Sequence, residues 1–274
     1  MLSTYLSRVR GDGISSALVR KQIYLVDSQG LLNRDRADHL NENELLYANH
    51  TLHASDLEQA VSAIKPSVLI GVRTERDPSL KFTERICRDI AQHHHRPIIF
   101  SLSSTDADVE TKDVYRWTDG RAIFAPRFAA MSPLTVSPPS PTSGRSDAKD
   151  DEGLEVGRSS SVTSAISMTP RPCQSTYIFP GVVLGLNVAG AVRVDHDMFL
   201  AAAESLASVV TDHDRARGDV FPSLNDCQEV AQRVAVAVAE RAYRSGVGSN
   251  LPRPMDLAER IRDFMYRPEY RVYK

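Results

Sequence analysis

Residues 96–105 read RPIIFSLSST, and residues 115–124 read YRWTDGRAIF. Each carries a short apolar run, at 97–102 and 122–125, and a polar stretch with helical spacing over 111–117 lies between them. An uninterrupted apolar run suits a strand covered on both faces, and run–helix–run is the rhythm of a βαβ unit. Working outward, residues 68–72 (VLIGV) form another such run. Residues 82–94 form an amphipathic helix with Ile86, Ile90 and Ala91 inward. Residues 23–27 (IYLVD) read as a further buried strand, ending in an acid. The expected fold class is therefore α/β, built on a parallel sheet. Its ligand edge is the rim at the carboxyl ends of the strands, which holds Asp27, then Gly71, Val72 and Arg73, then Ser103, Ser104 and Thr105.

The composition narrows the partners. Lys and Arg total 33 against 35 Asp and Glu, for a net charge of -2, and no basic stripe interleaves with aromatics. Such a chain has no electrostatic pull toward nucleic acid or an anionic membrane. No apolar run approaches the roughly 20 residues that a spanning helix needs. Cys87, Cys173 and Cys227 are far apart, which points to neither a disulfide framework nor a structural zinc site, and to a reducing compartment. The acid-free start MLSTYLSRVR carries two Arg, so the expected location is cytoplasm or mitochondrial matrix. His93, His94 and His95 are consecutive and cannot all face one ion from a helix, so they read as a helix C-terminus.

The rest of the chain reads as follows. Residues 1–20 are helical, broken at Gly11 and Gly13, with a short helix over 17–21. Residues 34–53 are a polar surface loop. Ser55 and Glu58 have capping-box spacing and start a helix that Pro66 stops. Residues 132–172 are dense in Ser, Pro, Thr and Gly, with almost no large apolar side chain, and are expected to be disordered. Their Ser-Pro and Thr-Pro pairs, such as Ser137-Pro138 and Thr169-Pro170, are potential phosphorylation sites. Beyond them the chain is helical. A Gly-rich apolar helix follows Phe179-Pro180-Gly181, Asp195 caps a helix over 198–210, and Asn225 caps a long helix to Tyr243. Pro254 opens a last helix through Met265, and the aromatics of a tail over 266–270 dock it.

Asp27 admits two readings: an acid ending a turn, or an acceptor for the adenosine ribose hydroxyls of a dinucleotide. The segments IYLVDSQGLL, KPSVLIGV, FTERICRDIA, RPIIFSLS, YRWTDGRAIFA, YIFPGVVLG (residues 177–185), DMFLAAAESLA and PEYRVY decide between them. In this order and spacing they resemble the malic enzymes and the related malolactic enzymes. The resemblance implies a Rossmann-like parallel sheet, incomplete because the first strand is missing, followed by C-terminal helices. It implies four regions: a helical remnant (1–20), a partial NAD(P)-binding domain (21–131), the insert (132–172) and the C-terminal helical part of the same domain (173–274).

The family implies oxidative decarboxylation of malate to pyruvate, NAD or NADP, a divalent Mg or Mn ion, and dimers or tetramers. An acid at Asp27 suits NAD better than NADP. By this resemblance the cofactor-binding positions are Asp27, Gly71 and Ser104, and the substrate-site positions are Ser104, Gln174 and Ser175. The family has Asn at those three, where an amide both donates and accepts at a fixed span. The glycine-rich phosphate loop, the Tyr and Lys acid/base pair and the metal ligands lie upstream of this sequence in the family, so metal ligands are expected to be absent. The turns after Gly71 and Ala125 are bulkier than the family's, with Arg73 and Pro126-Arg127-Phe128. The chain alone is expected to be inactive, with a bare apolar sheet face. It reads either as part of an enzyme or as a non-catalytic relative with a binding or oligomerisation role. Its partners are a missing upstream half or a second copy of itself.

Overall fold

The computed structural model describes residues 16–49, 51–73, 77–104, 107–128, 134–136 and 166–266. The first elements are helix α1 (Ser16–Arg20) and strands β1 (Val26–Asp27) and β2 (Gly30–Leu31). The two strands pair antiparallel, Val26 opposite Leu31 and Asp27 opposite Gly30. This corrects the expected strand over residues 23–27: it is a half-buried hairpin arm, outside the parallel sheet. Gly30, at φ +100°, folds the chain back after Ser28 and Gln29 and packs where Ala54 and Ser55 leave no room for a Cβ.

The expected loop over 34–53 also differs. It contains a 3₁₀ turn, Arg34–His39, and a short helix α2 (Glu42–Leu45), which Asn41 and Glu44 close with a reciprocal capping box. Helix α3 (Leu57–Ile64) is capped by Asp56, not Ser55: its carboxylate accepts from the Gln59 amide. Lys65, in the left-handed region, ends α3 ahead of Pro66.

Strand β3 (Val68–Gly71), helix α4 (Glu84–His93), strand β4 (Ile98–Ser101), helix α5 (Thr111–Trp117) and strand β5 (Ile123–Pro126) follow the expected rhythm. The three strands form a parallel sheet in the order β3-β4-β5. One face is closed: Leu69, Ile99 and Phe124 pack under Ile86, Cys87 and Ile90 of α4, Val114 of α5 and Val61 of α3. Burial pushes the Cys87 thiol up to about 12, so it packs as a small hydrophobe. On the other face Val68, Ile70 and Val72 are 43%, 47% and 69% exposed, and β3 has no outer neighbour among the described residues. The bare apolar stripe expected from the sequence is therefore present, at an open sheet edge.

Most of the expected disordered insert, with Ser137-Pro138, lies outside the described residues, as does the helical remnant up to residue 15. Within the insert, β6 (Leu134–Val136) and β7 (Ile166–Met168) pair antiparallel. The remaining helices are α6 (Phe179–Ala189), α7 (His196–Val209), α8 (Asp212–Ala216), α9 (Cys227–Arg244) and α10 (Leu257–Phe264). Asp195 caps α7 as expected. The caps of the last two long helices move. Ser223 caps a 3₁₀ turn, Leu224–Asp226, that runs into α9, so Asn225 is inside the turn. Asp256, not Pro254, starts α10. Tyr266 is 81% exposed, so it does not dock the tail, and residues 267–270 lie outside the described residues.

The helical half has its own core, with Val230, Val234, Val238 and Ala242 of α9 facing Val182 and Val188 of α6 and Met198 and Leu206 of α7. Phe221 joins it to the sheet. Its ring stacks on Tyr177 at 5.7 Å and meets Phe100 of β4 at 6.1 Å, while the Tyr177 hydroxyl donates to the Pro222 carbonyl at 2.8 Å. Arg171 clamps the same loop, binding Asp214 at 2.7 Å and donating to the Phe221 carbonyl at 2.9 Å.

Hydrogen bonding from the Thr211 hydroxyl, and then from Arg171, holds the Asp214 carboxyl down at about 2. A carboxyl with a depressed pKa in the fold adds stability above its unfolded value, near 3.9, and that stability is lost as pH falls through the folded value. Asp214→Asn is therefore expected to flatten the fall of the urea midpoint between about pH 4 and pH 2. An acid limb identical to the parent's would mean that these bonds do not persist in solution.

Candidate functional site

The carboxyl ends of β3, β4 and β5 converge on one rim. The Leu102 amide donates to the Gly71 carbonyl at 2.8 Å, and the Ser104 amide to the Arg73 carbonyl at 3.0 Å, which carries the β3–β4 pairing past the strand ends. The Cys173 amide donates to the Pro126 carbonyl at 2.7 Å, which delivers Gln174 and Ser175 to the end of β5. The structure thus brings Gly71, Ser104, Gln174 and Ser175 to the same edge of the sheet. Ser175 is exposed and opens the 3₁₀ turn Ser175–Tyr177.

The rim's charged centre is a buried pair that sequence reading missed. Arg73 and Asp108 have side chains 6% and 0% exposed, and the Arg73 Nε donates to Asp108 Oδ1 at 2.7 Å. Ser103 Oγ donates to the same oxygen at 2.5 Å, and Ser101 Oγ to Oδ2 at 2.9 Å. Ser101 Oγ in turn accepts from the Asp108 amide at 3.0 Å, and Ser103 Oγ from the Arg73 amide at 2.9 Å. Arg73 Nη1 donates to the Asp77 carbonyl at 2.7 Å. Gly71 is required here, because a Cβ on it would overlap the Asp108 carboxylate. The Ser104 hydroxyl is spent on the Arg73 carbonyl at 3.2 Å. The polar groups of this part of the rim are therefore satisfied by one another.

Asp27 is arranged differently. Arg36 grips it with both ends of its guanidinium, Nη1 to Oδ1 at 3.0 Å and Nη2 to Oδ2 at 2.5 Å. The Gln29 amide donates to Oδ1 at 2.8 Å. Burial on its own would raise this pKa, but Arg36 and the Gln29 amide outweigh it and hold the carboxyl below its usual value. At 41% side-chain exposure, Asp27 stays ionised and reachable.

Its hairpin lies against the chain that enters α3, where the Leu31 amide donates to the Ala54 carbonyl at 2.9 Å. A helix that leads into a parallel strand runs opposite to that strand, so the start of α3 lies on the side of the carboxyl ends. Asp27 therefore belongs to the ligand side although β1 is outside the sheet. Arg36 is the second residue that sequence reading missed. Its place in a polar stretch gave no signal, since only the fold brings it back nine residues onto the acid.

The residues present fit the adenosine end of a dinucleotide. Asp27 offers accepting oxygens of the kind that ribose hydroxyls need. At the ends of β3 and β4, Arg73 and Asp108 are buried and tie the two loops together. For a metal, no group of three or more His, Cys, Asp or Glu side chains comes together among the described residues. No described helix is long and apolar enough to cross a membrane. A polar groove between α7 and α9, lined by Asp197, Glu204, Glu240, Arg241 and Arg244, lies in the helical half, away from the rim, and in it Arg241 pairs with Asp197 and Arg244 with Glu240.

Comparison with known proteins identifies the family and the fold. The sequence profile of the malic enzyme NAD-binding domain matches residues 2–136 and 161–243. The NADP-dependent malic enzyme 1 of Arabidopsis thaliana is 33% identical over 100% of this chain and 42% of its own length. The mitochondrial NADP-dependent malic enzyme of Homo sapiens is 31% identical over 94% of this chain and 38% of its own. The chain thus spans about two-fifths of the length of these relatives. The malic enzyme structure from Entamoeba histolytica superposes with a TM-score of 0.62 at 15% identity, covering 92% of this chain and 46% of that one. The structure from Pyrococcus horikoshii gives 0.57 at 18% identity, over 87% and 45%. Both likenesses establish a shared fold.

Proposed function

The chain belongs to the malic enzyme family, as its NAD-binding domain, and on that premise we propose that it is a non-catalytic relative that retains nucleotide binding. The observation that carries this reading is the side-chain chemistry of the rim. Ser104 stands where the resemblance expects a substrate-orienting Asn, and its hydroxyl is turned into the Arg73 carbonyl. Ser is too short, and Gln174 too long, to restore an amide's fixed span of donor and acceptor. The family's oxidation and decarboxylation of malate are therefore not assigned to these residues. The exposed stripe of Val68, Ile70 and Val72 supports a role in binding or assembly.

The retained ligand is NAD in preference to NADP. The Asp27 carboxylate accepts from ribose hydroxyls, and a 2′-phosphate would meet that carboxylate while Arg36 is already committed to it at both ends. When a dinucleotide is bound, its nicotinamide is the hydride carrier. This chain's contribution is to hold the adenosine ribose at Asp27 and to keep that acid oriented through Arg36.

Titration calorimetry of the full chain with NAD and NADP tests the reading. Asp27→Ala is expected to weaken NAD binding about tenfold, the loss of a hydrogen bond to a charged group. The same change frees Arg36 and should narrow the gap to NADP. Equal NAD affinity in parent and variant would remove Asp27 from the site. Malate-dependent NADH formation by the parent chain would refute the non-catalytic reading.

A further inference from the structure

We draw no further inference here: the strongest candidate, the exposed apolar stripe of Val68, Ile70 and Val72 at the open edge of β3, carries nothing further because nothing in the structure shows what covers it.

Discussion

Asp108→Ala is expected to cost about 3–5 kcal/mol of folding stability, the range for removing one partner of a buried ion pair. The carboxylate is fully buried, and its principal counter-charge, Arg73, is 6% exposed. Its removal leaves a guanidinium in a dry site and takes the acceptor from two serine hydroxyls, Ser101 and Ser103. The pair sits between β3 and β4, so the loss acts at the centre of the parallel sheet. A double replacement by apolar side chains, Arg73→Met with Asp108→Leu, is expected to be milder than Asp108→Ala alone, because no charge is then stranded. Urea unfolding of the three proteins measures both effects. A cost under about 1 kcal/mol for Asp108→Ala would place it among ordinary surface substitutions and show that the pair is not buried in solution.

Gly185→Val is expected to destabilise the helical half by about 1–3 kcal/mol through overpacking. A Cβ at 185 would lie 2.5 Å from the Ala235 carbonyl oxygen and 3.0 Å from the Val238 Cβ, both on α9. Backbone cannot yield as a flexible side chain can, so α6 and α9 must move apart. That parting loosens Val182, Val188, Val234 and Val238 as well. Gly181 meets α9 in the same way: a Cβ there would lie 2.6 Å from the Ala231 carbonyl oxygen. Val183 lies between them on the half-exposed face of α6, and Val183→Ala should be near neutral in the same thermal melts. Equal midpoints for Gly185→Val and the parent would mean that the helices are not in close contact.

The small residues of the YIFPGVVLG segment, Gly181 and Gly185, are the ones that allow this close packing. Strands β3, β4 and β5 were legible, because four-residue apolar runs flanked by turn residues leave few alternatives to a buried strand. Residues 23–27 carry the same kind of run and end differently. Their pairing was decided by Gly30, whose positive φ folds the chain into a hairpin before a longer strand can form. The two-residue turn Ser28-Gln29 ahead of a glycine was the available signal. The caps of α9 and α10 moved because one polar residue looks much like the next when several are clustered, as in Ser223, Asn225 and Asp226.

The site was legible in outline and not in chemistry. Gly71, Ser104, Gln174 and Ser175 lie at one edge; the alternation of strands and helices implies this for Gly71 and Ser104, and only the family resemblance for Gln174 and Ser175. Asp108, one acid among Asp106, Asp108 and Glu110, has nothing in its sequence neighbourhood to mark it as the partner of Arg73, 35 residues away. Only the parallel register of Gly71 with Ser101 brings the two under one roof. Arg73 was visible as a bulky intruder in a turn, but its role as half of a buried pair depends on contacts that no local pattern encodes.

The central claim, that the chain binds nucleotide at Asp27, is tested most directly by nuclear magnetic resonance of the full chain titrated with NAD. The Gln29 amide, which reports on Asp27, is expected to shift on binding. The Arg73 Nε–H, buried against Asp108, is expected to stay at its free position and remain protected from solvent exchange. A Gln29 signal that stays in place as NAD is added would contradict the claim, because it would remove Asp27 from the site.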